Sequence, residues 1–520
     1  MKGQLWSGST RGVHTPLYLP IHAKFTLRVL LVVIAVLLLG ILVTVWNIYQ
    51  LRTMQETHLS GFHSSVEGIG TSGEEAKPIL WLHAKRIESG YLDHILRVFE
   101  RIGYRRGGPD SDWDVLWAHD YPFTELAMEI GKMKPHQKLN HFPGTGFITQ
   151  KVHLATSSID FVPKAFKLPQ QSEEFKAWAS KNPDKLWVQK SNAHRGIKVK
   201  PISELDLSAA NSFIQEFIDK PFLIDGRKFD IGVYIVVTSV DPLRIYIVDD
   251  ETLVRFCSKD YHPIDYNVVD KYVIGDDYTP MWQMPSFEKL YNEQHYSFRE
   301  SLNSYIRSQG LDSSQIYPQV YSAIRSVFLN KYPQLLKSLN KFKHKNTFFE
   351  LMRFDFVLDE KLKLFLMEVN MSPNLSSNHF LPNKYMYEHV IYNILSVVGI
   401  ARNVKDKIKD SSQDAQAMQV SEKRILVRSD ICGSPKCATC ISSECELCFR
   451  CLVPDQITML EEAYLEHTHR QSTRRVYPEP MTQEEARTYH RSRDSDLTPR
   501  NRILREWFRA KCIEDVYWCT

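Results

Sequence analysis

Two strand-like runs in the second half of the chain hold the residues best suited to chemistry. Asp355 lies within Phe349–Leu358, and Glu368 and Asn370 lie within Phe365–Asn370, with Asp359-Glu360-Lys361 as the turn between them. Residues two apart on a strand share a face, so Glu368 and Asn370 project together and a hairpin brings Asp355 opposite them. Two carboxylates and an amide oxygen make a hard, oxygen-rich site suited to Mg²⁺ on nucleotide phosphates. A solvated strand face is the alternative, but both runs are otherwise so apolar that acids there are unexpected. Upstream, Trp187-Val188-Gln189-Lys190 runs into a loop containing His194, Arg195 and Gly196. A strand-borne Lys beside such a loop offers a point charge and backbone N–H groups to phosphates. Gln215-Glu216-Phe217-Ile218 alternates polar and apolar, as a segment lining an adenine pocket would. Lys228 and Asp230 follow in Gly226–Ile231, then Arg244 and Arg255 on neighbouring strands, and cations aimed at a Mg²⁺-bearing face would form a phosphate clamp.

The elements that must position these residues alternate short β-branched strands with helices from Leu186 to about Gly399, an α/β (α+β) pattern. Strands are expected at Leu186–Gln189, Asp230–Ser239, Arg244–Val248 and within Phe354–Val369, with residues 281–341 helical and largely polar-surfaced. Ordered structure is expected to begin near Lys77 with the buried strand Pro78–Leu82. A helix with Leu92, Ile95, Leu96 and Phe99 on one face follows. Residues 77–185 would then be the N-terminal and central lobes, 186–400 the catalytic region and 401–520 a Cys-rich and Arg-rich extension.

Ahead of the lobes, residues 1–28 carry Lys2, Arg11, Lys24 and Arg28 and no acidic residue, and no charge follows until Arg52. At about 1.5 Å per residue, the apolar run 29–51 is long enough for a hydrocarbon layer of roughly 30 Å. A single transmembrane anchor is expected there, with a polar stalk at 52–76. Basic flanks stay cytoplasmic, which places the N-terminus inside and the catalytic domain on the luminal or extracellular side.

The 520 residues are 24% charged and 43% hydrophobic, with a net charge of +4. That composition excludes a wholly disordered chain, and so small a surplus gives no reason to expect nucleic-acid binding. Eight of the nine cysteines lie at Cys432, Cys437, Cys440, Cys445, Cys448, Cys451, Cys512 and Cys519. Zn²⁺ at the Cys432–Cys451 cluster competes with disulfides, and the short spacing between the Cys-x-x-Cys pairs favours disulfides. Cys257 reads as a buried thiol. The arginines between Glu461 and Lys511 could attract an acidic polypeptide, but the Glu and Asp among them favour a solvated helical face.

Taken in order, these motifs resemble the tubulin tyrosine ligase-like family, which has an ATP-grasp fold. The resemblance covers about residues 78–400. It rests on Asn140–Gly144, Trp187–Gly196, Gln215–Ile218, Gly226–Ile231, Pro242–Phe256 and Phe349–Leu375, and most specifically on Glu368-Val369-Asn370-Met371-Ser372-Pro373. The anchor and the run Gly275–Pro280 are similar to a divergent membrane-anchored branch described as probable tubulin polyglutamylase. The resemblance implies an ATP- and Mg²⁺-dependent carboxylate–amine ligase that adds glutamate to a side-chain carboxylate through an acyl phosphate, with tubulin as partner. It implies ATP contacts from Lys190, Gly196, Gln215, Glu216, Phe217, Ile218, Lys228 and Asp230. It further implies catalytic roles for Lys228, Asp230 and Arg255, and Mg²⁺ ligation by Asp355, Glu368 and Asn370. The chain departs from the family at Gly232, where an Arg is usual, at Arg353, where Gly is usual, and in lacking a His-Leu-Thr-Asn run. Arg353, two residues from Asp355, is the candidate for the missing cation. A glycine ligase, a luminal acceptor other than tubulin, and an anchored pseudoenzyme holding nucleotide or an acidic tail are the alternatives.

Overall fold

The structure, a computed structural model, describes residues 77–87, 90–191, 198–402, 419–489, 494 and 496–520, with Leu37, Gly40, Leu42, Thr44, Trp46 and Asn47. The expected anchor at 29–51 and stalk at 52–76 therefore lie almost wholly outside the described residues, as does Gly196. Among the described residues no helix is long and apolar enough to cross a membrane. Lys77–Thr520 forms one compact unit, apart from Met1–Ala76.

The unit opens with a parallel sheet. β1 (Ile79–His83) pairs with β2 (Arg105–Gly107) and β3 (Val115–Ala118), and β3 pairs with β4 (Lys138–Leu139). The apolar runs of β1 and β3 are buried, as strands covered on both faces are. The helix Asp93–Arg101 joins β1 to β2 and buries Ile95, Val98 and Phe99. A second sheet is antiparallel, in the order β5 (Ala165–Leu168), β8 (Ser212–Glu216), β6 (Trp187–Ser191), β7 (Lys198–Lys200). Phe166, Phe175 and Trp187 form its small core against the helix Ser172–Lys181.

The third sheet positions most of the candidate residues. Its spine is β10 (Arg227–Val240), reached from β9 (Leu223–Ile224) through Asp225 and Gly226, which both have positive φ, as a tight two-residue hairpin turn requires. Along one edge β10 pairs with β12 (Leu253–Phe256) and then β11 (Leu243–Val248), and along the other with β14 (Glu350–Leu358). β12 pairs outward with β13 (Thr279–Pro280), and β14 turns back into β15 (Leu364–Asn370). The hairpin expected around the turn Asp359-Glu360-Lys361 is the β14–β15 pair. The helix Ile316–Leu339 packs beneath this sheet and buries Val320, Ile324, Val327 and Phe328. That stretch supplies core, not the mainly polar surface its sequence suggested.

The extension beyond residue 400 is built into the same sheet. β16 (Thr473–Tyr477) pairs antiparallel with β11 and closes that edge. Arg244 sits on β11 with its Nε 3.0 Å from Glu466 and its Nη2 3.0 Å from Glu462, both on the helix Pro454–Thr468. The expectation that Arg244 joins a phosphate clamp is overturned: its partners hold it among the residues of the extension. The tail arginines also depart from a solvated face. Arg475 is buried, donating to the carbonyls of Pro478, Trp518 and Cys519, and Arg505 and Arg509 pair with Asp494 and Glu506. Cys432–Cys448, Cys437–Cys445, Cys440–Cys451 and Cys512–Cys519 are disulfides, which leaves none of the eight as a thiolate for zinc. Cys257 is the free, buried thiol, and burial pushes it up to about 12.

Candidate active site

The register of the third sheet assembles the polar residues into rows. Asp230 on β10 pairs with Arg255 on β12, and Gly232 pairs with Asp355 on β14, which in turn pairs with Glu368 on β15. One step along, Tyr234 pairs with Arg353 and Arg353 with Asn370. A bulge opposite Asp355 and Phe356 inserts Met367 as an extra residue on β15. Bulges re-aim side chains, and here Met367, Glu368 and Asp355 all line one cavity.

Charge pairing fixes the centre of that cavity. Arg255 holds Asp230 through Nε at 3.0 Å and Nη2 at 2.6 Å, and reaches Asp355 Oδ2 at 3.2 Å. Arg353 holds Asp355 from the other side, Nε to Oδ1 at 2.7 Å and Nη2 to Oδ2 at 2.9 Å. Asn370 Nδ2 donates to the same Oδ2 at 3.0 Å. Burial alone would raise Asp355, but Arg353 and then Arg255 outweigh it and hold its carboxyl below the usual range. For Asp230 burial prevails over Arg255, and its carboxyl sits above that range.

Four lysines line the same space: Lys151, Lys190, Lys200 and Lys228. Lys190 Nζ donates to Gln215 Oε1 at 2.9 Å, because β6 and β8 are neighbours. Burial, with Lys228 and Lys151 adding repulsion, brings Lys190 down to about 8. Lys228 donates to the Tyr272 carbonyl at 2.9 Å and lies 5.5 Å from the centre of the Phe217 ring, and burial lowers it too. Lys151 stands 3.2 Å from Glu368 Oε1. Glu216 is paired with Lys185 at the mouth.

The cavity holds about 470 Å³, within the range of small-molecule sites, and takes in Gln215, Glu216, Phe217 and Ile218 along one wall. Apolar Val188, Phe217, Ile218 and Val273 suit a flat ring, and the lysines and arginines suit phosphate. Among the described residues no cluster of three or more His, Cys, Asp and Glu side chains is placed to hold a metal. The set at hand is instead two carboxylates and an amide, the hard-oxygen donors that Mg²⁺ takes. Sequence reasoning passed over Lys151, at the start of the short helix Lys151–Ala155, and the Tyr272 carbonyl. A Lys opening a five-residue helix has no local signal. Tyr278, 5.9 Å from the Arg255 guanidinium and hydrogen-bonded to Asn383, was likewise legible only in three dimensions.

Comparison with known proteins places this geometry. Residues 130–407 match the tubulin-tyrosine ligase family. The chain is 43% identical over 443 residues to "Probable tubulin polyglutamylase ttll-15" of Caenorhabditis elegans, covering 83% of this chain and 84% of that protein. It is 28% identical over 361 residues to "Tubulin polyglutamylase TTLL6" of Mus musculus, and 28% identical over 367 residues to mouse "Tubulin monoglutamylase TTLL4". Each of those two matches takes in 66% of this chain, but only 43% of the first protein and 30% of the second. The chain belongs to the tubulin-tyrosine ligase family.

Proposed function

We propose that this chain is an ATP- and Mg²⁺-dependent ligase that joins glutamate to a side-chain carboxylate of a protein, tubulin being the acceptor named for its relatives. The observation that carries the reading is the cross-strand pairs Arg255–Asp230 and Asp355–Glu368, with Arg353 beside them and Asn370 bonded to Asp355, facing Lys151, Lys190, Lys200 and Lys228 in one cavity. Lys190, Lys228 and Lys151 would neutralise nucleotide phosphates, Gln215 to Ile218 would take the base, and Asp355, Glu368 and Asn370 would hold Mg²⁺. When bound, Mg²⁺ would offset charge on the transferring phosphoryl group. An acceptor carboxylate oxygen attacks the γ-phosphorus and ADP departs. The glutamate amine then attacks the acyl carbon, losing a proton, and phosphate departs. No protein nucleophile is needed, so positioning and charge supply the acceleration. Arg255 and Arg353 are the cations set to bind the acyl phosphate. Arg353 crosses the space above Gly232, so the cation missing from β10 is supplied from β14.

The four disulfides favour a second reading of place and acceptor. Such bonds persist in oxidising compartments. With the basic flank before 29–51, they support a membrane-anchored protein of the divergent branch, its ligase domain luminal or extracellular and its acceptor an acidic protein there. The test is incorporation of labelled glutamate into microtubules by the full-length protein with ATP and Mg²⁺, against Glu368→Gln. Incorporation lost in the variant supports tubulin ligation. Nucleotide binding without incorporation into tubulin, but with incorporation into luminal proteins, supports the second acceptor. Incorporation into neither leaves a nucleotide-binding protein and refutes the ligase.

A further inference from the structure

Asp355 Oδ2 has no acceptor capacity to spare. A carboxylate offers about four acceptor positions. Arg353 Nε occupies Oδ1 at 2.7 Å, while Arg353 Nη2 at 2.9 Å, Asn370 Nδ2 at 3.0 Å and Arg255 Nη2 at 3.2 Å all converge on Oδ2. Oδ2 is therefore open to a divalent cation only if a donor leaves, and the position left on Oδ1 lies beside the Arg353 guanidinium that already donates to that oxygen. Arg255 has its own anchor, two bonds to Asp230, and gives up little by releasing a 3.2 Å contact. Asn370 is neutral and needs only to turn its amide to present oxygen instead of NH₂. Arg353 is the charged donor that spends both Nε and Nη2 on this carboxylate. A guanidinium and a divalent cation on one buried carboxylate repel each other strongly.

The space around Arg353 supports departure into the cavity. Its side chain crosses Gly232, the strand partner of Asp355: a Cβ there would lie 3.0 Å from Arg353 Cδ and 3.4 Å from its Nε. Arg353 lines the same cavity as Lys190 and Lys228.

We propose that Arg353 is a resident counter-ion of Asp355 that exchanges with the divalent cation: it neutralises the carboxylate in the free protein and passes to a nucleotide phosphate when the cation takes its place. The inference rests on the ligase reading and deepens it, since it makes cation and triphosphate binding mutually dependent. A bare cation must displace Arg353 with no compensation. A cation arriving with a triphosphate gives Arg353 a new anion, so each ligand tightens the other.

Mn²⁺ is the probe, followed by loss of its free paramagnetic resonance signal on titration with the full-length protein. Without nucleotide, Arg353→Gln is expected to bind Mn²⁺ about tenfold or more tighter than wild type, the equivalent of losing one charge-assisted competitor. A non-hydrolysable triphosphate should tighten Mn²⁺ strongly in wild type, and by a much smaller factor in the variant. Gly232→Ala leaves every charged group in place but sets a Cβ 3.0 Å from Arg353 Cδ and 3.2 Å from Asp355 Oδ1, so its Mn²⁺ affinity should move less than that of Arg353→Gln. A thermal melt of each variant reports that it is folded. Unchanged or weaker Mn²⁺ binding in Arg353→Gln, with binding abolished in Asp355→Asn, overturns the exchange and leaves the ligase reading standing. Mn²⁺ binding indifferent to Asp355→Asn overturns both.

Discussion

Glu350 opens the strand that carries Asp355, and its removal is expected to be among the costliest single changes in the chain. The side chain is fully buried and accepts from the backbone N–H of Phe142 at 2.6 Å and from Thr145 Oγ1 at 2.8 Å. His141 Nδ1 lies 2.8 Å from its other oxygen, while His141 Nε2 reaches the Ala118 carbonyl at 3.0 Å. One carboxylate therefore ties β14 to the loop Asn140–Gly144 and, through His141, to β3 of the first sheet. Glu350→Ala would strand the Phe142 N–H and His141 Nδ1 at about 1–3 kcal/mol each, roughly 4 kcal/mol together, while Thr145 Oγ1 keeps the Phe142 carbonyl at 2.7 Å. Glu350→Gln keeps the shape and one acceptor oxygen, and should cost about half as much. Urea denaturation with the disulfides intact, followed by tryptophan fluorescence, reads the difference. Trp117 is a fitting reporter, with its ring 6.1 Å from that of Phe349 beside Glu350. The short helix with Lys151 follows this loop, so triphosphate affinity should fall as well. A loss below about 1 kcal/mol for Glu350→Ala, the level of an ordinary surface change, would refute this reasoning.

The remaining predictions concern charge and the extension. Lys190 sits near 8, so the ammonium that attracts phosphate is lost as pH rises through that value. Triphosphate affinity measured by calorimetry should hold steady below pH 8 and weaken above it in wild type, with the weakening much reduced in Lys190→Met. The sign for stability is opposite: between about pH 8 and the ordinary lysine range the unfolded chain binds the extra proton, so the Lys190 contribution to native stability rises with pH. Around Cys437, Cys445 and Cys448 the small core is made largely of the cysteines themselves. Reductant should therefore remove about 2–4 kcal/mol per bridge and lower the melting midpoint, and an unchanged midpoint would count against a structural role. Glu466→Ala would leave Arg244 with Glu462 alone and take the acceptor from Thr238 Oγ1, at a cost of about 3–5 kcal/mol by denaturant titration.

The carboxylates were legible in the sequence because a strand's two-residue period is local: Glu368 and Asn370 had to share a face, and the turn after Leu358 had to return Asp355 to them. The bulge at Met367 shifts the register beyond that pair without disturbing it. Arg244 shows the limit. On its own strand it reads like Arg255, and only the helix Pro454–Thr468, more than two hundred residues away, decides that its partners are Glu462 and Glu466. The same holds for β16, whose pairing with β11 no local pattern announces. Arg353 lay between these cases. Its distance of two residues from Asp355 marked a shared face, while the bidentate grip and the crossing over Gly232 depend on β10 lying alongside.

The central claim is that ATP activates an acceptor carboxylate, and oxygen transfer tests it most directly. An acidic acceptor peptide with ¹⁸O in its side-chain carboxylates would be incubated with the full-length protein, ATP, Mg²⁺ and glutamate, and the released phosphate analysed by mass spectrometry. One ¹⁸O is expected in the phosphate for each glutamate joined, with both products absent in Glu368→Gln. Unlabelled phosphate accompanying ligation would contradict it, because the carboxylate oxygen would then never have met the γ-phosphorus.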